Sequence, residues 1–336
     1  MNKIAVNTLK IGVPLLLGGA IIYWMYREFD FAQLAHTISS DMNWGWMLFS
    51  LVFGVTAQVF RGLRWKQTLE PLGEHPHTMT CIHAVFLSYA SSLIIPRSGE
   101  VVRCGILTRY NNVSFSKSIG TVVTERIIDS LLIVAIGILV FLCQIKTFTH
   151  FFSETGTSLM TWLGKFTATG YIVTALCILI TIIFIIVALR KLTLFAKLKR
   201  VVDEVKLGIF SLKDVRRKWL FAAYTFGIWA SYFLHFFLTF YCFDYTDGLG
   251  CTVGMVAFIV GTFAVVVPTP NGLGPWHFAV KTILILYGVA ATNAETYVLI
   301  VHTIQTALIP LLGIYSLFCL WLQKKNIPVR NKKNLT

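Results

Sequence analysis

Charged side chains are scarce in this sequence. Lysine, arginine, aspartate and glutamate make up 13% of its 336 residues, whereas a soluble protein carries about 25%. Apolar residues make up 56% of the chain, and the mean hydropathy is +0.72. Several runs reach the roughly 20 apolar residues that cross about 30 Å of hydrocarbon. This composition excludes an ordinary soluble domain and predicts a polytopic membrane protein.

Catalytic and metal-binding motifs are also missing. The seven cysteines have no C-x-x-C or other metal-ligand spacing, so we expect no metal and no other cofactor. The sequence has no P-loop and no G-x-S-x-G motif, and its predicted loops are too short for a catalytic domain. We therefore expect no enzymatic activity, although an intramembrane hydrolase stays open. Cys242 and Cys251 flank one short loop, and they could form a disulfide if that loop faces an oxidising compartment.

The basic residues are unevenly distributed along the chain. There are 29 lysines and arginines against 15 acidic residues, a net charge of +14. Because the basic residues concentrate in predicted loops, as in cytoplasmic loops of membrane proteins, a nucleic-acid partner is disfavoured. The same rule places 61–80, 190–218 and the tail 323–336 inside, and 27–43 and 242–250 outside. We expect a multi-pass protein of the bacterial cytoplasmic (inner) membrane with both termini in the cytoplasm.

The apolar runs predict an all-α protein with six full transmembrane helices and two interrupted segments. The full spans are predicted near 10–27, 44–60, 118–145, 168–189, 219–241 and 295–322. The interrupted segments are 81–117 and 251–290, each broken by proline and glycine. The loop charges place both ends of each segment on one side of the membrane, so we interpret both as re-entrant helical hairpins.

The order span, span, hairpin, span occurs twice. Residues 1–145 form the first repeat and 146–322 the second, which is inverted because each half crosses the membrane three times. Inverted repeats with paired Gly/Pro interruptions indicate a transporter whose site lies between the repeats. A plain bundle of eight helices with two proline kinks is the alternative. The linker 190–218 is predicted to contain a cytoplasmic amphipathic helix, either on the inner leaflet or packed on the bundle, and 323–336 a basic cytoplasmic tail.

Six charged residues lie within or just after the first interruption. They are Arg97, Glu100, Arg103, Glu125, Arg126 and Asp129. A charge at mid-bilayer costs about 2.5–3.5 kcal/mol. We therefore predict that these three basic and three acidic side chains pair with one another and face a hydrated cavity.

Two roles for this set remain open. Pro96 ends the first half-helix, and the next one, which contains Gly99, begins with unpaired N–H groups that favour an anion. Arg97 and Arg103 are candidate phosphate ligands, because a guanidinium binds phosphate in a bidentate manner. The carboxylates either carry protons or hold the arginines in place. The alternative is a structural ion-pair network.

The second interruption has no charge but much free backbone. Its predicted break residues are Pro268, Pro270, Gly272 and Gly274. His302 and Gln305 are polar residues on the mostly apolar last span. We interpret the histidine as a helix–helix hydrogen-bonding residue, with a shuttle as the alternative.

Three motifs carry a resemblance to a known family. They are PRSGEVVR at 96–103, VSFSKSIGTVVTERIID at 113–129 and PTPNGLG at 268–274. In this order they resemble the membrane domain of the lysylphosphatidylglycerol synthase/flippase family, over about residues 10–322. The motif positions are Pro96, Gly99, Glu100, Arg103, Glu125, Arg126, Asp129, Pro268, Gly272 and Gly274.

The resemblance implies a lipid flippase-type fold. In better-known members this domain is implicated in moving aminoacylated phospholipid that a cytosolic synthase domain makes. The short tail leaves no room for a synthase, so we expect a standalone protein to which the aminoacyl substrate does not carry over.

The expected function is movement of a phospholipid or polyprenyl-linked lipid headgroup across the cytoplasmic membrane through a charge-lined cavity. The expected partners are membrane lipids (anionic or aminoacylated phospholipid, or polyprenyl phosphate) and a cytoplasmic lipid-modifying enzyme. Two alternatives remain: a secondary transporter of a small solute or ion, and a non-transporting membrane scaffold for a lipid- or glycan-synthesis enzyme.

Overall fold

The computed structural model describes residues 37–95, 98–145, 214–267 and 269–325. It also describes the single residues Gly19, Tyr23, Tyr26, Arg27, Asp203, Lys206, Leu207 and Phe210. Most of the predicted span 10–27, the predicted span 168–189, most of the linker 190–218 and the tail beyond 325 lie outside these residues. So do Pro96, Arg97 and Pro268.

Within the described ranges every regular element is a helix. The principal helices are α1 Trp44–Leu69, α2 Thr78–Ile94, α3 Gly99–Asn111, α4 Phe115–Cys143, α5 Lys218–Phe237, α6 Gly250–Ala264, α7 Pro275–Leu286 and α8 Ala291–Lys325. The shorter elements are the π-helical turn Thr37–Asp41, the helical turn Asp244–Asp247 and the 3-10 turns Glu70–Leu72, Leu238–Cys242 and Pro270–Gly272.

Four of these helices are long and apolar enough to cross a membrane. The candidate spans are Trp44–Leu72, Phe115–Cys143, Lys218–Cys242 and Ala291–Gln323. They correspond to four of the six predicted spans. Helix α4 exposes Ile127, Leu131 and Val134, as expected where a helix faces lipid. The chain is a multi-pass membrane protein.

Helix α1 extends beyond the apolar run at 44–60 that predicts it. Asn43 caps its start, because the Asn43 Oδ1 accepts hydrogen bonds from the N–H groups of Gly45 and Trp46 at 3.0 and 3.3 Å. The predicted change from span to loop at residue 61 was wrong, since the helix continues to Leu69. Arg61 and Arg64 lie inside the protein, where only 4% and 0% of their surfaces are exposed. They are tolerated there because carboxylates on α4 pair with them.

Each interrupted segment forms two separate helices rather than one kinked helix. Helices α2 and α3 pack against each other, and Ile95 between them is extended, with φ −124° and ψ 108°. That conformation is the one a following proline imposes. The Ser98 hydroxyl donates to the Ser91 carbonyl at 3.1 Å, and the Gly99 N–H donates to the Ser92 hydroxyl at 3.2 Å. Helix α2 thus satisfies polar groups freed by the break.

The second break turns through left-handed backbone. Asn271, Gly272 and Gly274 have φ values of 50°, 75° and 91°, a region that favours glycine. Pro275 then occupies the first turn of α7, where its missing N–H costs nothing. Helices α6 and α7 pack against each other, as α2 and α3 do.

The two breaks meet inside the protein. The 3-10 turn Pro270–Gly272 contacts α2, while α1 packs on α5 and α2 packs on α8. The larger apolar core, which includes Phe236, Val256 and Tyr297, lies among α5, α6, α7 and α8. The irregular backbone of the first break and that of the second therefore lie close together.

The predicted option of a disulfide between Cys242 and Cys251 was wrong. Both thiols are free: Cys242 is buried, whereas Cys251 is exposed in the first turn of α6.

Replacing Gly99 by alanine tests the close contact of α2 and α3. A Cβ at Gly99 would lie 2.2 Å from the Ser88 carbonyl oxygen and 2.6 Å from the Ser92 Oγ. We expect Gly99→Ala to lower the free energy of unfolding by about 1–3 kcal/mol through overpacking. Gly105→Ala is the matched control on the same helix, because no atom lies within 4 Å of its Cβ position. Thermal unfolding in detergent measures both, and equal Tm values would contradict the contact.

Candidate functional site

Two carboxylates on one face of α4 form the centre of the site. Glu125 and Asp129 are 0% and 6% exposed. Arg61 and Arg64 reach Asp129 from α1: the Arg61 Nη1 donates to Oδ2 at 3.0 Å, and the Arg64 Nη1 and Nη2 donate to Oδ1 and Oδ2 at 2.8 and 3.1 Å. The Arg64 contact is bidentate, which is the strong geometry for a guanidinium and a carboxylate.

Glu125 pairs with an arginine from a different helix. The Arg103 Nη2 on α3 lies 2.9 Å from the Glu125 Oε2. The Arg103 guanidinium also lies over the Trp65 ring, 4.7 Å from its centre. Trp65 is held in turn, because its Nε1 donates to the Thr121 Oγ1 at 2.9 Å. Carboxylate and indole together fix the position of Arg103.

Arg126 is held much more loosely. Its nitrogens lie 3.6 Å from the Glu100 Oε1 and 3.6 Å from the Asp129 Oδ2, and 43% of its side chain is exposed. Both distances exceed those of hydrogen bonds. The Arg126 Nε has no hydrogen-bond partner among the described residues. This guanidinium therefore has donors available for a ligand.

Among the described residues the cluster has one positive charge in excess. Four guanidinium groups, those of Arg61, Arg64, Arg103 and Arg126, face the carboxylates of Glu100, Glu125 and Asp129. The predicted balance of three and three omitted the two arginines of α1. The available signal was the RGLRW motif at 61–65, with arginines three positions apart after an apolar run. The loop-charge rule instead assigned these two arginines to a cytoplasmic loop.

A cavity of about 250 Å³ lies between the two breaks. Its wall includes Ser88, Ser92 and Gly99 from the first break and Thr269 and Gly272 from the second. Arg61, Glu100, Arg103 and Arg126 also line it. Asp129, which binds two of the arginines, is at the midpoint of α4. The five described members of the predicted charged set therefore lie together, with Arg97 outside the described residues.

A second cavity of about 400 Å³ adjoins the first. Tyr89, Arg126, Val265 and Asn271 line both. The hydroxyls of Tyr89 and Tyr232 are 2.5 Å apart at this boundary. The second cavity is rich in aromatic side chains, which belong to Trp229, Tyr232, Phe236, Phe258 and Trp276.

Histidines hold the second break in place. The His302 Nε2 lies 3.1 Å from the Asn271 carbonyl oxygen, and the Gly274 N–H donates to the His277 Nδ1 at 3.4 Å. The Gln305 Nε2 donates to the carbonyl of His235 on α5 at 2.6 Å. His302 thus forms a hydrogen bond with another element, the 3-10 turn Pro270–Gly272, and Gln305 forms one with α5. Of the predicted break residues, Pro270 and Gly272 are buried, and Gly274 lies just before α7.

The predicted absence of a metal or other cofactor remains a prediction. In the described part of the chain, no group of three or more His, Cys, Asp or Glu side chains is arranged to hold a metal ion.

Removing the charge of Asp129 tests the central ion pairs. We expect Asp129→Asn to lower the free energy of unfolding by about 3–5 kcal/mol, because two buried guanidinium groups lose their carboxylate. The measurement is the Tm of the purified protein in detergent. Asp203→Asn is the control, since the Asp203–Lys206 pair is exposed and 4.0 Å long; it should leave Tm unchanged. Equal Tm values for the two variants would show that the buried ion pairs do not stabilise the folded protein.

Comparison with known proteins gives one match. The sequence model of the family described as "Lysylphosphatidylglycerol synthase TM region" matches residues 11–313. No curated protein and no solved structure matches the chain. The matched range includes both breaks and the whole charged cluster. Membership in such a family indicates a function related to membrane lipids. The chain belongs to the lysylphosphatidylglycerol synthase transmembrane-region family.

Proposed function

We propose that this protein is a flippase-like transporter that moves the headgroup of a phospholipid or polyprenyl-linked lipid across the membrane. The headgroup passes through the paired cavities while the acyl or prenyl tails stay in the bilayer. The observation that carries this proposal is the loosely held Arg126, which faces both cavities in a cluster with excess positive charge. A lipid phosphate supplies the missing negative charge.

The position of the cavity supports a translocation path. It lies where two chain breaks meet, and irregular backbone at membrane depth is tolerated where protein or a water-filled cavity satisfies it. In the proposed arrangement, α2–α3 and α6–α7 are re-entrant hairpins that enter from opposite faces and belong to inverted repeats. Relative movement of the repeats would then open the cavity to one side at a time.

The charged residues have different roles in this proposal. Asp129 and Glu125 hold Arg61, Arg64 and Arg103 in place, and Arg126 contacts the phosphate. In the proposed role the lipid crosses the membrane without chemical change, as in a transporter and not as in an enzyme. A cytoplasmic lipid-modifying enzyme is a suitable partner, because it would make or consume the transported lipid.

Arg126→Gln tests the proposal. We expect proteoliposomes with this variant to lose at least about tenfold in the rate at which a labelled anionic phospholipid becomes accessible on the other leaflet, because one charge-assisted contact contributes about 1.5–3 kcal/mol. The labelled lipids are phosphatidylglycerol and a polyprenyl phosphate. Arg109→Gln, in the last turn of α3, is the control and should retain the wild-type rate.

Two results would contradict the proposal. One is a wild-type rate equal to that of empty vesicles for every lipid. The other is unchanged transport by Arg126→Gln in a protein that unfolds at the wild-type temperature. Movement of a water-soluble anion without lipid would favour a solute transporter instead.

A further inference from the structure

We propose that the second cavity binds a neutral, polyhydroxylated group that is joined to the lipid through the phosphate. The substrate class is then a phosphodiester lipid with a polyol or sugar headgroup. This inference rests on the proposed function, because the phosphate contacts Arg126 where the two cavities adjoin. The polyol occupies the part of the cavity lined by α1, α5, α6 and α8.

The lining of this cavity is mainly apolar, and its polar groups are almost all uncharged. Its polar groups are mainly amides and hydroxyls, which include those of Gln58, Asn271, Gln305, Thr262 and Thr306. Arg126 is the one Lys, Arg, Asp or Glu side chain among the described residues that line it. Amides and hydroxyls can both donate to and accept from the hydroxyls of a polyol. The volume of about 400 Å³ is within the range of small-molecule sites, about 300–1,000 Å³.

Besides the Arg126 Nε, two buried polar atoms of the lining have no partner within the described residues. They are the Oε1 of Gln58, a residue that is 6% exposed, and the Nε1 of Trp229. The first is an acceptor and the second a donor. Unpaired buried groups of this kind are rare in folded proteins, so their presence calls for an explanation. Hydroxyl groups of a polyol can donate to the first and accept from the second.

Indole and phenyl rings complete the complementarity. Trp229 packs edge-on against Tyr232 and Phe258, with ring centres 6.3 and 6.4 Å apart. Trp276 also lines the cavity, and its ring centre lies 5.1 Å from that of His302. A sugar or cyclitol ring has apolar C–H faces that pack on such rings and hydroxyls at its edge that reach the amides.

An ammonium headgroup fits less well. No described carboxylate lines this cavity, and Arg126, which does, repels a second cation. The aromatic rings alone attract a cation less strongly than rings combined with a carboxylate would. We therefore infer a neutral headgroup rather than an aminoacylated one.

Binding of short-chain lipids to the full chain in detergent tests this inference by isothermal titration. The probes are dihexanoyl phosphatidylinositol, dihexanoyl phosphatidylethanol, which has the same single phosphodiester charge without the polyol, and dihexanoyl phosphatidylethanolamine. Farnesyl phosphoglucose and the methyl ester of farnesyl phosphate form a second pair that distinguishes a polyprenyl carrier from a glycerolipid. We expect the polyol member of at least one pair to bind about tenfold more tightly than its partner.

Two variants show where the preference arises. Gln58→Leu and Trp229→Phe should reduce it to about twofold or less and leave the affinity for phosphatidylethanol unchanged. Gln58→Leu should also raise Tm without lipid, because it removes a buried unpaired acceptor. Trp219→Phe is the control on α5, since Trp219 is 90% exposed and should retain the preference.

The outcomes separate this inference from the proposed function. If both members of each pair bind equally, or phosphatidylethanolamine binds best, the inference is overturned. If in addition Arg126→Gln weakens the binding of every anionic lipid, the phosphate site is supported and the polyol site is not. If no lipid binds to the wild type, both proposals fail.

Discussion

The bidentate contact between Arg64 and Asp129 is the interaction on which the rest of the site depends. It joins α1 to an apolar helix, α4, of which little is buried within the described residues. Unpaired, each of these charges would cost about 2.5–3.5 kcal/mol at mid-bilayer. The pair therefore fixes the rotation of α4 about its own axis. That rotation places Arg126, three residues before Asp129, at the wall of both cavities.

The breaks in the two halves provide what continuous helices would not, namely space and accessible backbone at the centre of the protein. Each break is satisfied by its surroundings in a different way. Serines of α2 bind the first, whereas side chains of α8 bind the second, as in the Asn271–Thr306 hydrogen bond of 2.7 Å. Because these partners bind polar groups of the two breaks, the chain can form a cavity there.

Local features of the fold were predictable, and tertiary ones were not. The positions of both breaks follow from Pro96 and from the Gly/Pro-rich segment at 268–274, because proline and glycine act on their own backbone. The place of Arg61 and Arg64 does not, since their partner is more than 60 residues away in sequence. A loop-charge rule interprets such arginines as cytoplasmic. The adjoining aromatic cavity was also missed, because its walls come from helices α1, α5, α6 and α8, which are far apart in sequence.

In the proposed transporter, the residues that bind the phosphate are different from those that discriminate between headgroups, and the same geometry explains why. A guanidinium binds the phosphate that all phospholipids share, so the charged cavity provides affinity but little selectivity. Selectivity requires protein groups whose burial is unfavourable with one headgroup and favourable with another. Unpaired neutral donors and acceptors have that property, because only some headgroups can form hydrogen bonds with them. A headgroup without hydroxyls leaves Gln58 and Trp229 unsatisfied, whereas a polyol satisfies both. In the proposed transporter, the paired arginines make the phosphate site possible, and the neutral groups beside them determine which lipid binds.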